Sequence, residues 1–317
     1  MRTNIGTLQL LNNFWICIKE GMKLKCPNNC LTKCSSSMRP HFRKDGFYFR
    51  KSDSRKIQRY CCLLCGKNFS RATFSSCYRQ KKRRVNDILF KLLSSGVSMR
   101  RAAILLNIHR NTVKKKMNFL AEKAEITHHQ FLKKLENQPV EHLQIDDLIT
   151  TEHTKLKPLS ISVAIDAKRR FILSAEVSTI PSFGLLSKKS KRKYGVRPNE
   201  HKAGLSKLFF KIKNVINKKT IIKSDEHQSY PEFVSRFFPD STYQRYKGSR
   251  GAIVGQGELK KIKRDPLFMI NHTCAMLRAN INRLFRKTWC TTKDPNMLQK
   301  HLNIYIDFHN TVLLKAS

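Results

Sequence analysis

Acidic side chains are scarce in this chain. Its 317 residues hold 22 Asp and Glu against 63 Lys and Arg, a formal net charge of 63 − 22 = +41. Self-repulsion of that size excludes an ordinary metabolic enzyme and asks for a polyanionic partner, nucleic acid first. Long apolar runs are missing too. None approaches the roughly 20 residues of a membrane span, so no membrane partner is expected. Leu8–Ile18 is the most apolar stretch near the start, but Asn12 and Asn13 interrupt it and no small-residue cleavage site follows. A secretory signal is therefore not expected. Met22 opens a cleaner basic start, and residues 1–21 read as an extension outside the fold. The expected location is the cytoplasm, beside the nucleoid. Cysteines in that reducing compartment serve as metal ligands or core residues, not disulfides.

What is present suffices for a folded protein. Hydrophobic residues make up 40% and charged residues 27%, enough for a core and too apolar for wholesale disorder. At about 150 residues per domain, the length suggests roughly two domains with a small accessory module.

Seven of the ten cysteines cluster between Cys26 and Cys77. The useful pattern is Cys26-Pro-Asn-Asn-Cys30, a long gap, then Cys62-Leu-Leu-Cys65-Gly66. Two short Cys pairs supply the four thiolates of a tetrahedral structural Zn²⁺, which leaves no open position for chemistry. Cys34 is an alternative to Cys30, and Cys61 an alternative to Cys62. Gly66 lets the chain bend with its amides toward the sulfurs. Asp45–Arg50 and Lys56–Cys61 alternate enough to be strands, so residues 22–78 read as a zinc ribbon.

Residues 79–125 read as three helices. Ile88, Leu89, Leu92 and Leu93 recur at helical spacing, Ser94-Ser95-Gly96 breaks the run, and Ser98 caps Met99–Leu106. Asn107-Ile108 is a turn, and His109–Leu120 is the third helix. This is the layout of a helix-turn-helix reading head. His109, Arg110, Asn111 and Thr112 open the third helix, where side chains reach base edges; Lys114, Lys115 and Lys116 suit phosphates, as do Arg100 and Arg101 on the helix before. Residues 126–139 read as a helical linker ended by Pro139.

From residue 140 to 317 the character is α/β. Leu143–Asp147, Leu159–Ile165 and Phe171–Val177 read as three consecutive strands, Lys202–Val215 as a helix and Thr220–Asp225 as a fourth strand. Tyr230–Phe238, Thr242–Tyr246 and a long helix from Pro266 to Lys287 follow, and His301–His309 closes the chain. The order β-β-β-α-β-α-β-α is the ribonuclease H-like arrangement. There the first and fourth strands are neighbours, so Asp146 and Asp225 meet at adjacent strand ends. Two carboxylates in so positive a chain fit Mg²⁺ or Mn²⁺. Asp147 reads as a turn or cap residue.

The chain resembles the zinc-ribbon DDE transposases of small bacterial insertion sequences, in the branch of insertion sequence one and its single-frame relatives. The resemblance rests on Cys62–Ser70, on Ile145-Asp146-Asp147, on Lys223–Pro231, and on Asn271-His272-Thr273 through Leu277-Arg278 to Arg286-Lys287-Thr288. It implies binding of double-stranded DNA, both transposon ends and target, and two-metal strand cleavage and transfer by at least a homodimer. It also implies a third metal ligand at Asn271, where the family usually has a carboxylate, and a phosphate contact from Arg278. Glu258, 258 − 225 = 33 residues past the second Asp, is the rival third ligand. Two basic segments, Ser187–Arg197 and Lys247–Lys263 with Lys247 and Arg250, are expected to line the DNA path. Trp289 and Cys290 read as core closure.

Overall fold

The computed structural model describes residues 24, 26–30, 41–51, 54–247 and 265–316. The chain divides into two compact units, one ending at Ile88 and one starting at Leu89. Cys34, Arg250, Glu258 and residues 1–21 lie outside the described residues.

The first unit holds a three-stranded antiparallel sheet of β1 (Phe42–Arg50), β2 (Arg55–Cys62) and β3 (Asn68–Ser70). Its core is small: Cys26, Cys62 and Phe69 are buried, with Phe42, Tyr60 and Phe74 packed against them. So small a core among the described residues would gain much of its stability from a cross-link or metal.

Helix α1 (Val85–Leu93) begins in the first unit and ends in the second. Helix α2 (Met99–Leu105) starts as expected, with Ser98 Oγ accepting the Arg101 amide at 3.3 Å. Asn107 then takes φ +46°, and α3 runs unbroken from Arg110 to Leu135. The expected division into a third helix and a linker does not occur. No Gly or Pro interrupts residues 110–138, and Ala121, Ala124, Leu132 and Leu135 are buried at helical spacing. The segment that looks like a charged linker is thus the second half of a core helix.

A five-stranded mixed sheet forms the centre of the second unit. It is built from β4 (Val140–Thr151), β5 (Pro158–Asp166), β6 (Ile172–Thr179), β7 (Ile216–Ser224) and β8 (Thr242–Arg245), in the order β6-β5-β4-β7-β8. β4, β5 and β6 are antiparallel neighbours, while β4–β7 and β7–β8 are parallel. Every residue of β5 is buried, as a strand covered on both faces must be. Helices α4 (Leu186–Tyr194), α5 (His201–Ile212), α6 (Tyr230–Phe237), α7 (Phe268–Asn280) and α8 (Pro295–Phe308) complete the unit. Leu143 and Ile145 of β4 pack with α5, α6 and the end of α3, whereas Leu148 packs with α7 and α8. The strand period of two assigns its neighbours to opposite sides.

The end of α1 and helices α2 and α3 belong to this unit. Phe90 meets Phe308 edge-on at 5.6 Å, the Leu93 carbonyl accepts from His301 Nε2 at 2.8 Å, and Lys300 reaches Asn118 at 3.1 Å. Gly96 donates its amide to the Asn280 carbonyl at 2.7 Å, one of the orphan acceptors at the end of α7. It does so at φ +76° with the Phe285 ring 3.0 Å from where a Cβ would stand, so a side chain is excluded there. This contact coincides with the early end of α7 at Asn280, seven residues before the Lys287 expected. The basic run Ser187–Arg197 is mostly helix α4. Trp289, expected to close the core, is 81% exposed. No helix of the described residues is long and apolar enough to cross a membrane.

Buried ionisable groups make the packing pH-dependent. Burial pushes the Asp307 carboxyl up to about 7, against the pull of Lys123. The folded chain therefore keeps a proton there that the unfolded chain releases above about pH 4, and stability is lost as pH rises from 4 to 7. Asp307→Asn, which mimics the protonated acid, should gain stability over the parent through that window, by about tenfold per pH unit in the folding equilibrium, and plateau above it. Urea titrations at pH 4.5, 6 and 8 measure this; a pH-independent difference would contradict the assignment.

Candidate active site and metal centre

Strand β4 carries two consecutive carboxylates, and its alternation sends them to opposite faces. Asp146 follows Gln144 toward the α7 side. Register aligns Ile145 with Ser224 on β7, so Asp146 and Asp225 are the next residues along two adjacent parallel strands. Asp225 lies just past the strand end and accepts the His227 amide on Oδ1 at 3.1 Å. Asp146 Oδ1 accepts the Asp147 amide at 2.8 Å.

Gln144, two residues before Asp146, pins the start of α7. It accepts the Ile270 amide at 2.9 Å and donates to the Pro266 carbonyl at 3.0 Å. Asn271, Cys274 and Arg278 then recur at helical spacing. Cys274 and Arg278 feel the Asp146 charge directly. Burial pushes the Cys274 thiol up to about 12, with Asp146 adding to it. Burial also pulls the half-buried Arg278 guanidinium below its ordinary value, together with the repulsion of Arg286. Asp146 itself is pushed up to about 6, first by burial and then by the charges of Asp225 and Asp147, while the Asp147 amide and Arg278 oppose the shift. Two like charges crowded beside one cation are a set that a divalent ion would relieve.

Asn271 is exposed, and its amide nitrogen donates to Asp265 Oδ2 at 2.8 Å. Asp265 also accepts the Leu267 amide at 2.9 Å, in the turn that leads into α7. Sequence reasoning missed this carboxylate: it lies at the border of the basic stretch and six residues before Asn271, in no motif.

Asp147 is neither a turn nor a cap residue. It points to the other face of β4, among Leu143 and Ile145, and accepts four hydrogen bonds. Ser162 and Ser160 on β5 donate to Oδ1 at 2.5 and 2.9 Å, and His201 on α5 and Tyr230 on α6 bond Oδ2 at 2.6 and 2.8 Å. Burial alone would raise its pKa, but the His201 bond and charge and the Ser162 and Tyr230 hydroxyls hold it below the usual carboxylate value. The same surroundings push the Tyr230 phenol well up, chiefly by burial. His227 sits against both His201 and Tyr230, with ring centroids 4.8 and 5.2 Å apart. Asp147, His201 and His227 have ligand atoms within 4.8 Å of one another. Asp147's lone pairs are already taken by protein donors, so the group acts as a brace rather than an open metal site.

In the first unit, Cys26, Cys30, Cys62 and Cys65 converge, with all four sulfurs within 4.8 Å. Cys26 Sγ lies 3.5 Å from Cys65 Sγ and 3.7 Å from Cys30 Sγ. A tetrahedron with Zn–S bonds of about 2.3 Å has sulfurs about 3.8 Å apart, so the set fits zinc. Cys61 is not part of it; its thiol turns to the carbonyls of Cys62 and Gly66. Gly66 makes the bend at φ +68°, but its amide bonds the Cys62 carbonyl at 2.9 Å. The amides aimed at sulfurs are those of Asn28, 3.4 Å from Cys26 Sγ, and of Lys67, the main cause of a Cys65 pKa lowered to about 7.

Of the proposed DNA contacts, Arg100, Arg101, Arg110, Asn111, Lys114 and Lys115 are exposed and Thr112 is half-buried. His109 caps α3, accepting the Asn111 amide on Nδ1 at 3.2 Å, so that ring nitrogen is taken. Lys116, grouped with the phosphate-suited lysines, is buried. Lys247 is exposed. Arg197 is tied to Glu152 at 2.8 Å.

The neighbouring carboxylates should respond oppositely to substitution. Asp146→Asn should raise the urea midpoint at pH 8, because ionisation above about pH 6 costs stability, and the gain should shrink toward pH 4. Asp147→Ala should destabilise by about 3 kcal/mol or more, since it strands a buried imidazole and three hydroxyls. Loss of stability in both variants would refute the division of roles. For the cysteines, elemental analysis should find one zinc per chain. Cys62→Ser or a chelator should melt the small three-stranded sheet while the far-ultraviolet signal of the second unit persists.

No family model matches the chain, and no curated protein matches it.

Proposed function

We propose that this protein is a DNA transposase of the DDE type, which binds the terminal inverted repeats of a bacterial insertion sequence and cuts and joins DNA strands with Mg²⁺ or Mn²⁺. The observation that carries the reading is the pairing of Asp146, one residue past the last β4–β7 pair, with Asp225, one residue past the end of β7, with Arg278 close enough to be felt by Asp146. The sheet order β6-β5-β4-β7-β8, with three antiparallel strands followed by two parallel ones, supports a ribonuclease H-like catalytic domain. The four converging cysteines support a zinc ribbon. The short turn between α2 and α3, with exposed Arg110, Asn111, Lys114 and Lys115 beyond it, supports a helix-turn-helix. The net charge of +41 supports DNA as the partner and the nucleoid as its location.

In this reading Asp146 and Asp225 hold the metal, with Asn271 as the family-implied third ligand. Bound there, a divalent cation supplies charge neutralisation and an acidified water. Arg278 contacts a phosphate near the scissile bond. Water attacks the phosphorus and the bond to the 3′-oxygen breaks; the freed 3′-hydroxyl then attacks a target phosphate, whose own 3′-oxygen leaves. Two ends must be paired, so the active form is at least a dimer.

One observation favours a second reading, a DNA-binding protein from a decayed element. Asn271 lacks the family's charge and is engaged by Asp265. The test is incubation of purified protein with labelled DNA bearing the element's own ends and Mg²⁺ or Mn²⁺. Nicking at the boundary and strand joining, both abolished by Asp146→Ala or Asp225→Ala with end binding intact, are expected. Unchanged cleavage by both variants would sink the site assignment. Specific binding without cutting, with activity gained by Asn271→Glu, would establish the second reading.

A further inference from the structure

The zinc-ribbon hairpin carries a feature that the cutting chemistry does not use. Near the cysteines, one face of the small sheet is covered: Phe42, Tyr60, Phe69 and Phe74 contact one another with centroids 5.6 to 6.1 Å apart. A bulge interrupts the β1–β2 register between Lys44 and Phe47, and Gly46 within it takes φ +63°. The bulge sets Asp45 and Gly46 against Arg59 alone, so the alternation resumes in phase. Phe47 and Phe49, opposite Gln58 and Lys56, continue the same face as Phe42 and Tyr60. Nothing among the described residues covers them: Phe47 is 55% and Phe49 62% exposed.

The surroundings of this bare aromatic face are cationic. Residues 42–62 contain seven Lys and Arg and two Asp, 7 − 2 = +5. One of those acids, Asp45, is paired with Arg59 at 2.9 Å. Arg43, Lys44, Lys51, Arg55 and Lys56 are exposed, and the Lys56 ammonium stands 4.9 Å from the Phe47 ring centroid. An apolar protein surface would have to accept that charge, whereas nucleic acid offers π-faces and phosphates together. Residues two apart on a strand are separated by about 6.7 Å, roughly twice the spacing of stacked bases, which leaves room for one base between two rings.

We propose that this hairpin is a stacking site for unpaired or unstacked DNA bases, with Phe47 and Phe49 flanking a base and Arg55 and Lys56 on the adjoining phosphates. The proposal rests on the DNA-binding part of the function above and not on catalysis. It gives the ribbon a preference for DNA that is already open or distorted, distinct from duplex reading at α3.

The test uses the full chain, labelled oligothymidine of about 20 nucleotides, and a duplex of equal length. Affinities are measured by fluorescence anisotropy at several salt concentrations, beside emission from a strand carrying 2-aminopurine. Phe47→Ala with Phe49→Ala should lower single-strand affinity by about 10- to 100-fold, abolish the 2-aminopurine response and leave the duplex nearly unaffected. Phe47→Tyr with Phe49→Tyr should retain binding, whereas the corresponding Leu pair, equally apolar but without a ring face, should not. Arg55→Gln with Lys56→Gln should flatten the salt slope. Zinc content of each variant reports that the ribbon is folded, and a variant lacking its zinc is replaced in the comparison by the Leu pair. Single-strand affinity unchanged in both the Ala and Leu pairs would overturn the stacking site while sparing the DNA-binding reading. Failure of the parent protein to bind any DNA would overturn both. Self-association lost in the Ala pair, with DNA affinity intact, would overturn the stacking site in favour of a second copy of the chain.

Discussion

The larger unit depends on a single buried carboxylate. Asp147 draws donors from β5, α5 and α6 to one point in the middle of β4. In a low-dielectric interior such a charge is tolerable only when every lone pair is answered, so those three elements are not free to move independently. The peptide joining Asp147 to Asp146 carries the constraint across the sheet. Its amide is the donor to Asp146 Oδ1, so the carboxylate that faces α7 is oriented by the residue anchored on the other side. His227 extends the link to Asp225, its ring lying against His201 and Tyr230 and its amide bonding the Asp225 carboxylate.

This arrangement separates two opposite electrostatic environments by one residue. Asp147 is stabilised by its surroundings; Asp146 is destabilised by them, its ionised form opposed by burial and by two neighbouring carboxylates. A fold can carry that second, unfavourable group because the first holds the strand in register. Groups kept in a costly charge state beside a cation mark a candidate functional site.

Much of this was legible in the sequence where local pattern and chemistry agree. The Cys pairs, the Ser98 cap, the five strands and the juxtaposition of Asp146 with Asp225 follow from spacing and strand order, although β4 runs on to Thr151 where an end at Asp147 was expected. What was hidden has physical reasons. Residues 121–135 look solvated because Lys and Glu fill the outer face, and the four buried positions are too sparse to register as core. Asp147 was undervalued because a second acid beside the first reads as redundancy until β4 is known to be buried on both faces. Asp265 and Cys274 gain meaning only from α7's docking on Gln144, a contact between residues 126 apart in sequence. Lys116 could not be separated from Lys114 and Lys115 without the phase of α3. Trp289 looked like core because large aromatic residues usually are, and nothing local marks it as exposed.

The unbroken course of α3 has a geometric consequence. Twenty-six residues at about 1.5 Å each make a rod of about 39 Å. Exposed Arg110 and Asn111 stand at one end, and Leu132 and Leu135 are sunk beside β4 at the other. A single helix does not stretch, and its far end is set in the same core that fixes Asp146. The rod therefore sets a fixed offset: the distance between its exposed tip and the core at its base is written in helical turns, and adding or removing residues along it would shift that offset in both length and angle.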